Sequence, residues 1–361
     1  MSLNKIGKPI VTQQMVADAV DVHLSTVSLA LRNDPRLPER TRRRIQDAAK
    51  RLGYTPNPLV SILLSRVRRR NSDYRGTLGY VHTAPADTPR LTERVFRNYI
   101  EGAQRRASEL GYHLDEFSLG PSLNGRRLVE MLRTRNILGL VVEHMPGEHC
   151  PDRRLPFDIN PFAVASLGVP LADPHIHYVA NDQYMRAVLA AREALALGYR
   201  RLGLVVSENF DTRMAHRCSA GFWAVQEYTP GLARLPICLL RKDEPAALRR
   251  WLSQHRPDVV LGTHHFVLTQ LQSLGKNVPG NLGWVHLDWV PEFKNSSGVY
   301  GNSDQIGAAA VELVVSQLHR GETGPRTHGV NYFVSGTWQP GKTLRRVGPS
   351  LDLDAAFFSD S

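Results

Sequence analysis

VTQQMVADAVDVHLSTVSLAL, residues 11–31, decides the reading of the N-terminal end. Thr12 can cap a helix opening at Gln13, because its hydroxyl accepts from first-turn N–H groups. Met15, Val16 and Ala19 then fall on one predicted face. Val20-Asp21-Val22 breaks the pattern, and Asp21 suits a left-handed turn position. A second helix is predicted over Leu24–Leu31. It turns Val27, Ala30 and Leu31 inward and leaves Ser25, Thr26, Ser28 and Leu29 on or near the outer side. Two short helices across a three-residue break have helix-turn-helix spacing.

A third helix is predicted over Glu39–Leu52, with Ile45, Ala48, Ala49 and Leu52 as its apolar stripe and Gly53 as C-cap. Arg40, Arg42, Arg43, Arg44, Lys50 and Arg51 occupy its other sides. Asn57 can then cap a short helix with Pro58 at its first position, running through Leu63 and Leu64. So greasy a segment needs a partner. It packs on a twin in a dimer or wedges between bases in a minor groove. The basic run Arg66-Val67-Arg68-Arg69-Arg70 follows, as a phosphate contact or a solvated linker. Residues 1–75 hold 15 Lys or Arg against 6 Asp or Glu, most of the formal +11 of the whole chain. Charge so concentrated points to a polyanion partner, since each neutralised phosphate releases counterions.

Val11-Thr12, Val16-Ala17, Ser25-Thr26-Val27-Ser28, Thr41-Arg42, Ala48-Ala49, Leu52-Gly53-Tyr54 and Pro56-Asn57 together resemble the headpiece of the LacI/GalR repressor family. The resemblance implies that the helix from Leu24 enters the major groove of double-stranded DNA. Leu24 and Ser25 would approach base edges, Thr26, Ser28 and Leu29 would lie at the same surface, and Arg36 would reach the backbone. Thr12, Thr41, Tyr54 and Asn57 complete the implied DNA-binding set, with Leu63 as a minor-groove wedge. The sequence departs from the family where His23 replaces a capping Ser, Asp21 a small residue, and Leu29 a guanine-reading Arg. The operator is therefore not readable.

From Gly76 onward, apolar runs alternate with amphipathic stretches. Strands are predicted at 77–81, 114–119, 137–142, 162–166, 202–206, 236–240, 259–261 and 282–287. Helices are predicted at 93–110, 125–135, 183–197, 214–228, 245–255 and 305–319. The alternation argues for parallel sheets covered on both faces, divided between two lobes. The pattern is similar to the periplasmic-binding-protein-like α/β core of the same family. The expected organisation is a helical headpiece (1–55), a hinge helix and basic linker (56–75), a core (76–344) and a tail (345–361). Lobe 1 would comprise about 76–195 and 302–332, and lobe 2 about 196–301 and 333–344. The resemblance implies an effector, a sugar or related metabolite, held between the lobes by Asp288 and Arg217, with Asp182, Trp289 and Asn302 as further candidates. Asp182 is equally a plain N-cap, and Trp289 equally lobe packing.

Other chemistries find little support. Cys150, Cys218 and Cys238 are far apart and make neither a disulfide framework nor a metal site. No histidine set has metal-ligand spacing, no phosphate-cradling Gly-Lys-Ser/Thr loop appears, and no cofactor or enzymatic constellation is expected. Residues 1–11 lack the apolar core of a signal peptide, and no apolar run is long enough to span a bilayer, so a cytoplasmic homodimer without membrane partners is expected. A regulator with no small-molecule effector, and a sugar-binding protein without DNA binding, are the alternatives.

Overall fold

The computed structural model describes residues 11–31, 34, 36–54, 75–82, 90–120, 123–143, 154–168, 175–241 and 245–353. Asn57, Leu63, Arg66 to Arg70 and Cys150 lie outside them. The headpiece forms α1 (Gln13–Ala19), α2 (Leu24–Leu31) and α3 (Glu39–Leu52). Its core is Val16, Ala17, Val27, Ala30, Ile45 and Ala49, closed at the edges by Val20, Leu37 and Tyr54. The buried face of α1 is thus Val16–Ala17–Val20; Met15, expected inward, is 40% exposed. Leu52, expected in the core, is exposed, because the chain turns at left-handed Gly53 and Tyr54 seals the core in its place.

Two six-stranded sheets follow. The first contains β1 (Gly76–His82), β2 (Tyr112–Ser118), β3 (Gly139–Glu143), β4 (Ala163–Leu167), β5 (His177–Asn181) and β11 (Asn331–Val334). The second contains β6 (Leu202–Ser207), β7 (Cys238–Leu240), β8 (Val259–Gly262), β9 (Gly283–Trp289), β10 (Ser297–Tyr300) and β12 (Thr337–Gln339). The orders are β11-β5-β4-β3-β1-β2 and β12-β10-β9-β8-β6-β7, parallel throughout except for β12. Each lobe is therefore doubly wound, with its order reversing between the first and third strands of the lobe. In such sheets the crevice at the carboxyl ends of those two strands receives ligands.

Helices cover both faces. In lobe 1, α4 (Arg90–Glu109) and α11 (Ser303–Arg320) cover one face and α5 (Gly125–Thr134) the other. The first two approach so closely that a Cβ at Gly307 would stand 2.0 Å from the Tyr99 carbonyl. In lobe 2, α6 (Gln183–Ala196) and α8 (Arg217–Tyr228) cover one face, and α9 (Pro245–His255) with α10 (His265–Ser273) the other. Helix α6 was expected in lobe 1. It packs instead on β8, β9, β10 and α8, because Ala187, Ala190, Ala191 and Ala194 present a flat apolar face to the second sheet. β11 conversely joins lobe 1, by pairing with β5. The helix expected over 214–228 starts only at Arg217, as α8, and is preceded by a short helix that was not expected, α7 (Glu208–Arg213), with Ala215 and His216 in the left-handed region between them.

The segment expected as a tail is part of lobe 2. Val347 N–H donates to Leu197 O (2.8 Å), Leu351 N–H to Leu195 O (3.1 Å), and the Arg200 guanidinium to Pro349 O (2.6 Å). Leu353 is fully buried in the α6–α8 core. We expect Leu353→Ala to cost about 2–5 kcal/mol, as for other fully buried leucines. Urea unfolding checks this, and an unchanged midpoint would mean the tail is not docked.

Candidate functional site

The headpiece presents a polar, basic surface on a small apolar core. Thr12 caps α1, its hydroxyl accepting from Met15 N–H at 3.3 Å. Asp21 takes the left-handed turn position expected of it. His23 does cap α2: its Nδ1 accepts from Ser25 N–H at 3.3 Å and lies 2.7 Å from Ser25 Oγ, so an imidazole replaces the hydroxyl that a Ser would supply. Leu24 and Ser25 are exposed at the start of α2, whereas Thr26, Ser28 and Leu29 are half-buried on its flanks. Arg36 is held by Asp34 through two hydrogen bonds (2.9 and 2.7 Å) yet keeps most of its surface in solvent. Thr41 is half-buried on α3, and the Tyr54 hydroxyl accepts from Gln13 Nε2 at 3.0 Å, tying the end of the headpiece to α1.

The second site lies where the chain passes between lobes, at 181–182, 300–302 and 334–336. Arg186, on the first turn of α6, is 1% exposed and paired with Asp288 near the end of β9. The crossing segment covers this guanidinium closely: a Cβ at Gly301 would stand 2.5 Å from Arg186 Nη2 and 2.7 Å from Asn181 Nδ2. Asp182 caps α6, accepting from Met185 N–H at 3.0 Å, while its own N–H donates to Val334 O at 3.0 Å. Asn302 is left-handed, and its Nδ2 donates to Ser335 O (2.7 Å) and Thr337 Oγ1 (3.0 Å). It therefore ties two crossings together. Trp289 Nε1 donates to Ser296 O at 2.9 Å, with its ring edge-on to Tyr300. Arg217 opens α8, its guanidinium 4.5 Å from the centroid of the Phe333 ring of lobe 1. Of the five expected effector residues, Asp288 lies in the charged centre, and Asp182, Asn302 and Arg217 are engaged at the crossings.

Several residues at this centre were not foreseen. At the β1/β3 reversal, Glu143 is 2% exposed and accepts from the Tyr80 hydroxyl, while its Oε1 has no partner among the described residues. Burial holds this carboxyl up at about 7; the Tyr80 bond opposes the shift and the Glu116 charge adds to it. Tyr99 of α4 lies within the fields of Glu143, Arg186 and Asp288, so it joins the two halves. Across the cleft, at the β6/β8 reversal, burial lowers the pKa of Arg213 on α7 and of His264 before α10. Asp288 acts on both in the opposite direction. Asp211 is buried and its Oδ2 meets the His216 ring at 2.9 Å. His286, held near 3 by burial, lies under Phe293 at 4.6 Å and is neutral packing. No group of three or more metal-ligating side chains occurs among the described residues, and no described helix is long and apolar enough to cross a membrane.

The sequence signals for these residues are slight. Arg186 is one cation on an otherwise apolar helix face, and Glu143 is an acid ending the run Leu140-Val141-Val142.

The carboxyl of Glu143 makes stability depend on pH. Below its ordinary value of 4.5 it is protonated whether the chain is folded or not. Between there and 7 only the unfolded chain loses the proton, so stability falls as pH rises and then levels. The total is on the order of 3 kcal/mol. Glu143→Gln should lack this slope and be the more stable form at pH 8. Urea unfolding of both proteins across pH 4.5–8 gives the difference, and parallel curves would remove the assignment.

Residues 13–57 match the model of bacterial regulatory proteins, lacI family. The chain is 27% identical to the HTH-type transcriptional regulator PtxS of Pseudomonas putida over 91% of its own length and 96% of that protein's. It is 24% identical to the HTH-type transcriptional repressor CytR of Escherichia coli over 77% and 80%. Among solved structures, the transcriptional regulator CelR–cellobiose complex shares the fold with TM-score 0.54 and 18% identity, over 93% of this chain and 100% of that one. The lac repressor dimer bound to operator and the anti-inducer ONPF does so with TM-score 0.52 and 16% identity, over 94% and 100%.

Proposed function

We propose that the chain is a DNA-binding transcriptional regulator of the LacI type, as the match of residues 13–57 and the likeness to PtxS support, and that its two sites work as follows. Two copies pair through their cores and hold two headpieces on a pseudo-palindromic operator. Leu24 and Ser25 enter the major groove, with Thr26, Ser28, Leu29 and Thr41 beside them. Thr12, Arg36 and Tyr54 fix the headpiece against the backbone, and Asn57 and Leu63 belong to the hinge that follows. A small hydroxylated molecule binds between the lobes, and the cellobiose held by the CelR relative supports that class. Such a role places the protein in the cytoplasm, with the DNA.

The observation that carries this reading is the buried Arg186–Asp288 pair beneath the crossing segments. A molecule bound there meets both lobes at once. It changes DNA affinity only through its preference between lobe arrangements. Asp182 and Asn302 hold the crossings, and Arg217 and Trp289 flank them.

Selection of genomic fragments by the purified full chain tests the DNA half. Exchanging Leu24 and Ser25 together for Ala should weaken binding to the selected fragment about tenfold or more, because base contacts contribute about 1–3 kcal/mol each. Thermal stability should be unchanged, since both side chains are exposed. Undiminished affinity would take α2 out of the groove. Asp288→Asn leaves Arg186 short of its counter-charge, so it should lower Tm and, at temperatures where the variant is folded, abolish the response of operator binding to ligand; a retained response would move the ligand elsewhere.

A further inference from the structure

The charges of the cleft do not balance. Arg186 is met by Asp288, yet its Nε has no partner. Arg213 has no carboxylate within ion-pair distance among the described residues, and its buried Nε also lacks an acceptor. The other acids nearby are engaged or unable to compensate. Asp211 faces His216, and the Glu143 carboxyl holds its proton up to about neutrality. His264 is neutral there, because burial lowers its pKa. Two guanidinium groups thus draw on the one Asp288 carboxylate, and a partly desolvated cation short of a full counter-charge is costly unless something else brings one. Arg213 ends α7, directly after β6, and so stands at the strand reversal where a doubly wound lobe takes its ligand.

We infer that the effector is an oxyanion, a hydroxylated metabolite carrying a carboxylate or a phosphate, whose charge is met by Arg213 and backed by Arg186. The inference rests on the cleft between the lobes being the effector site. Guanidinium groups suit both anions, since their N–H groups match paired oxygens. The hydroxyls of the same molecule face Asp288, which accepts hydrogen bonds, and the protonated Glu143 carboxyl, whose Oε1 can donate one. A neutral sugar would satisfy these groups and bring no charge to the second guanidinium.

The test is thermal shift and calorimetry on the full chain, with D-glucose, D-gluconate, D-glucose 6-phosphate and inorganic phosphate at constant ionic strength. Gluconate or glucose 6-phosphate should raise Tm by several degrees at concentrations where glucose does not. Which of the two does so separates carboxylate from phosphate. Arg213→Gln should weaken that binding about tenfold or more. Its ligand-free Tm should be unchanged or higher, which a structural arginine would not allow. The inference is overturned if glucose stabilises as well as the anions, if no anion of the panel stabilises, or if ligand-free Arg213→Gln melts several degrees lower. Glucose stabilising the native chain but not Asp288→Asn would overturn the anion and keep the cleft. An anion response surviving both Asp288→Asn and Arg213→Gln would remove the cleft itself.

Discussion

The Arg186–Asp288 ion pair is the constraint around which the core is arranged. An arginine at 1% exposure is tolerated only when its charge is met where it lies. Asp288 reaches it because β9 runs down the second sheet to the level of the first turn of α6. The pair in turn dictates the covering segment. A side chain at residue 301 would press on the guanidinium and push it away from its place beside Asp288. Asn302, next to it, adopts the left-handed region and ties the other crossings through Ser335 and Thr337. One electrostatic requirement thus fixes the local geometry of the passage between lobes.

The two lobes repeat one winding order, and the chain interleaves them rather than completing one before the other. α6 leaves the first sheet and packs on the second; α11 leaves the second and packs on α4 in the first. Each lobe therefore depends on a helix delivered across the boundary. Residues 345–353 then return to seal the α6 side of lobe 2. The two strand reversals, β1/β3 and β6/β8, provide Tyr80 and Glu143 from one lobe and Arg213 and His264 from the other. This pairing concentrates buried and half-buried titratable groups at the boundary between the lobes.

Much of this was legible in the sequence. The headpiece was, because cap, turn and core positions are local: Thr12, Asp21 and Gly53 each do what their chemistry favours. The alternation of strands and helices was also readable, since burial on both faces leaves apolar runs. Non-local packing was not. The alanine face of α6 suits either sheet, and only the direction of the chain after β5 selects the second. The break before α8 was hidden because Met214 and Phe222 keep helical spacing across residues that are not helical. At this charged centre, Asp288 was singled out through the family pattern, whereas Arg186, Arg213 and Glu143, which the structure brings near it, were not. A lone charge near an apolar run reads as surface unless its partner, distant in sequence, is known. His23 failed in the opposite sense: it looked like a lost cap, but its ring nitrogen accepts the bond a hydroxyl would have taken.

Coupling between duplex and small molecule follows from where the cleft sits. On the proposed reading, the small molecule acts on the lobes at the crossings and the duplex acts on them from the headpiece. Neither can influence the other unless the lobes have two arrangements of comparable energy. The crossings favour such a pair of arrangements, because they concentrate the inter-lobe connections in short backbone segments held by few side-chain bonds. Each lobe keeps its own core, and packed cores shift as bodies rather than deform. The charges at the boundary then decide which arrangement a bound molecule favours, since Tyr99 and Glu143 belong to one body and Arg186, Asp288 and Arg213 to the other.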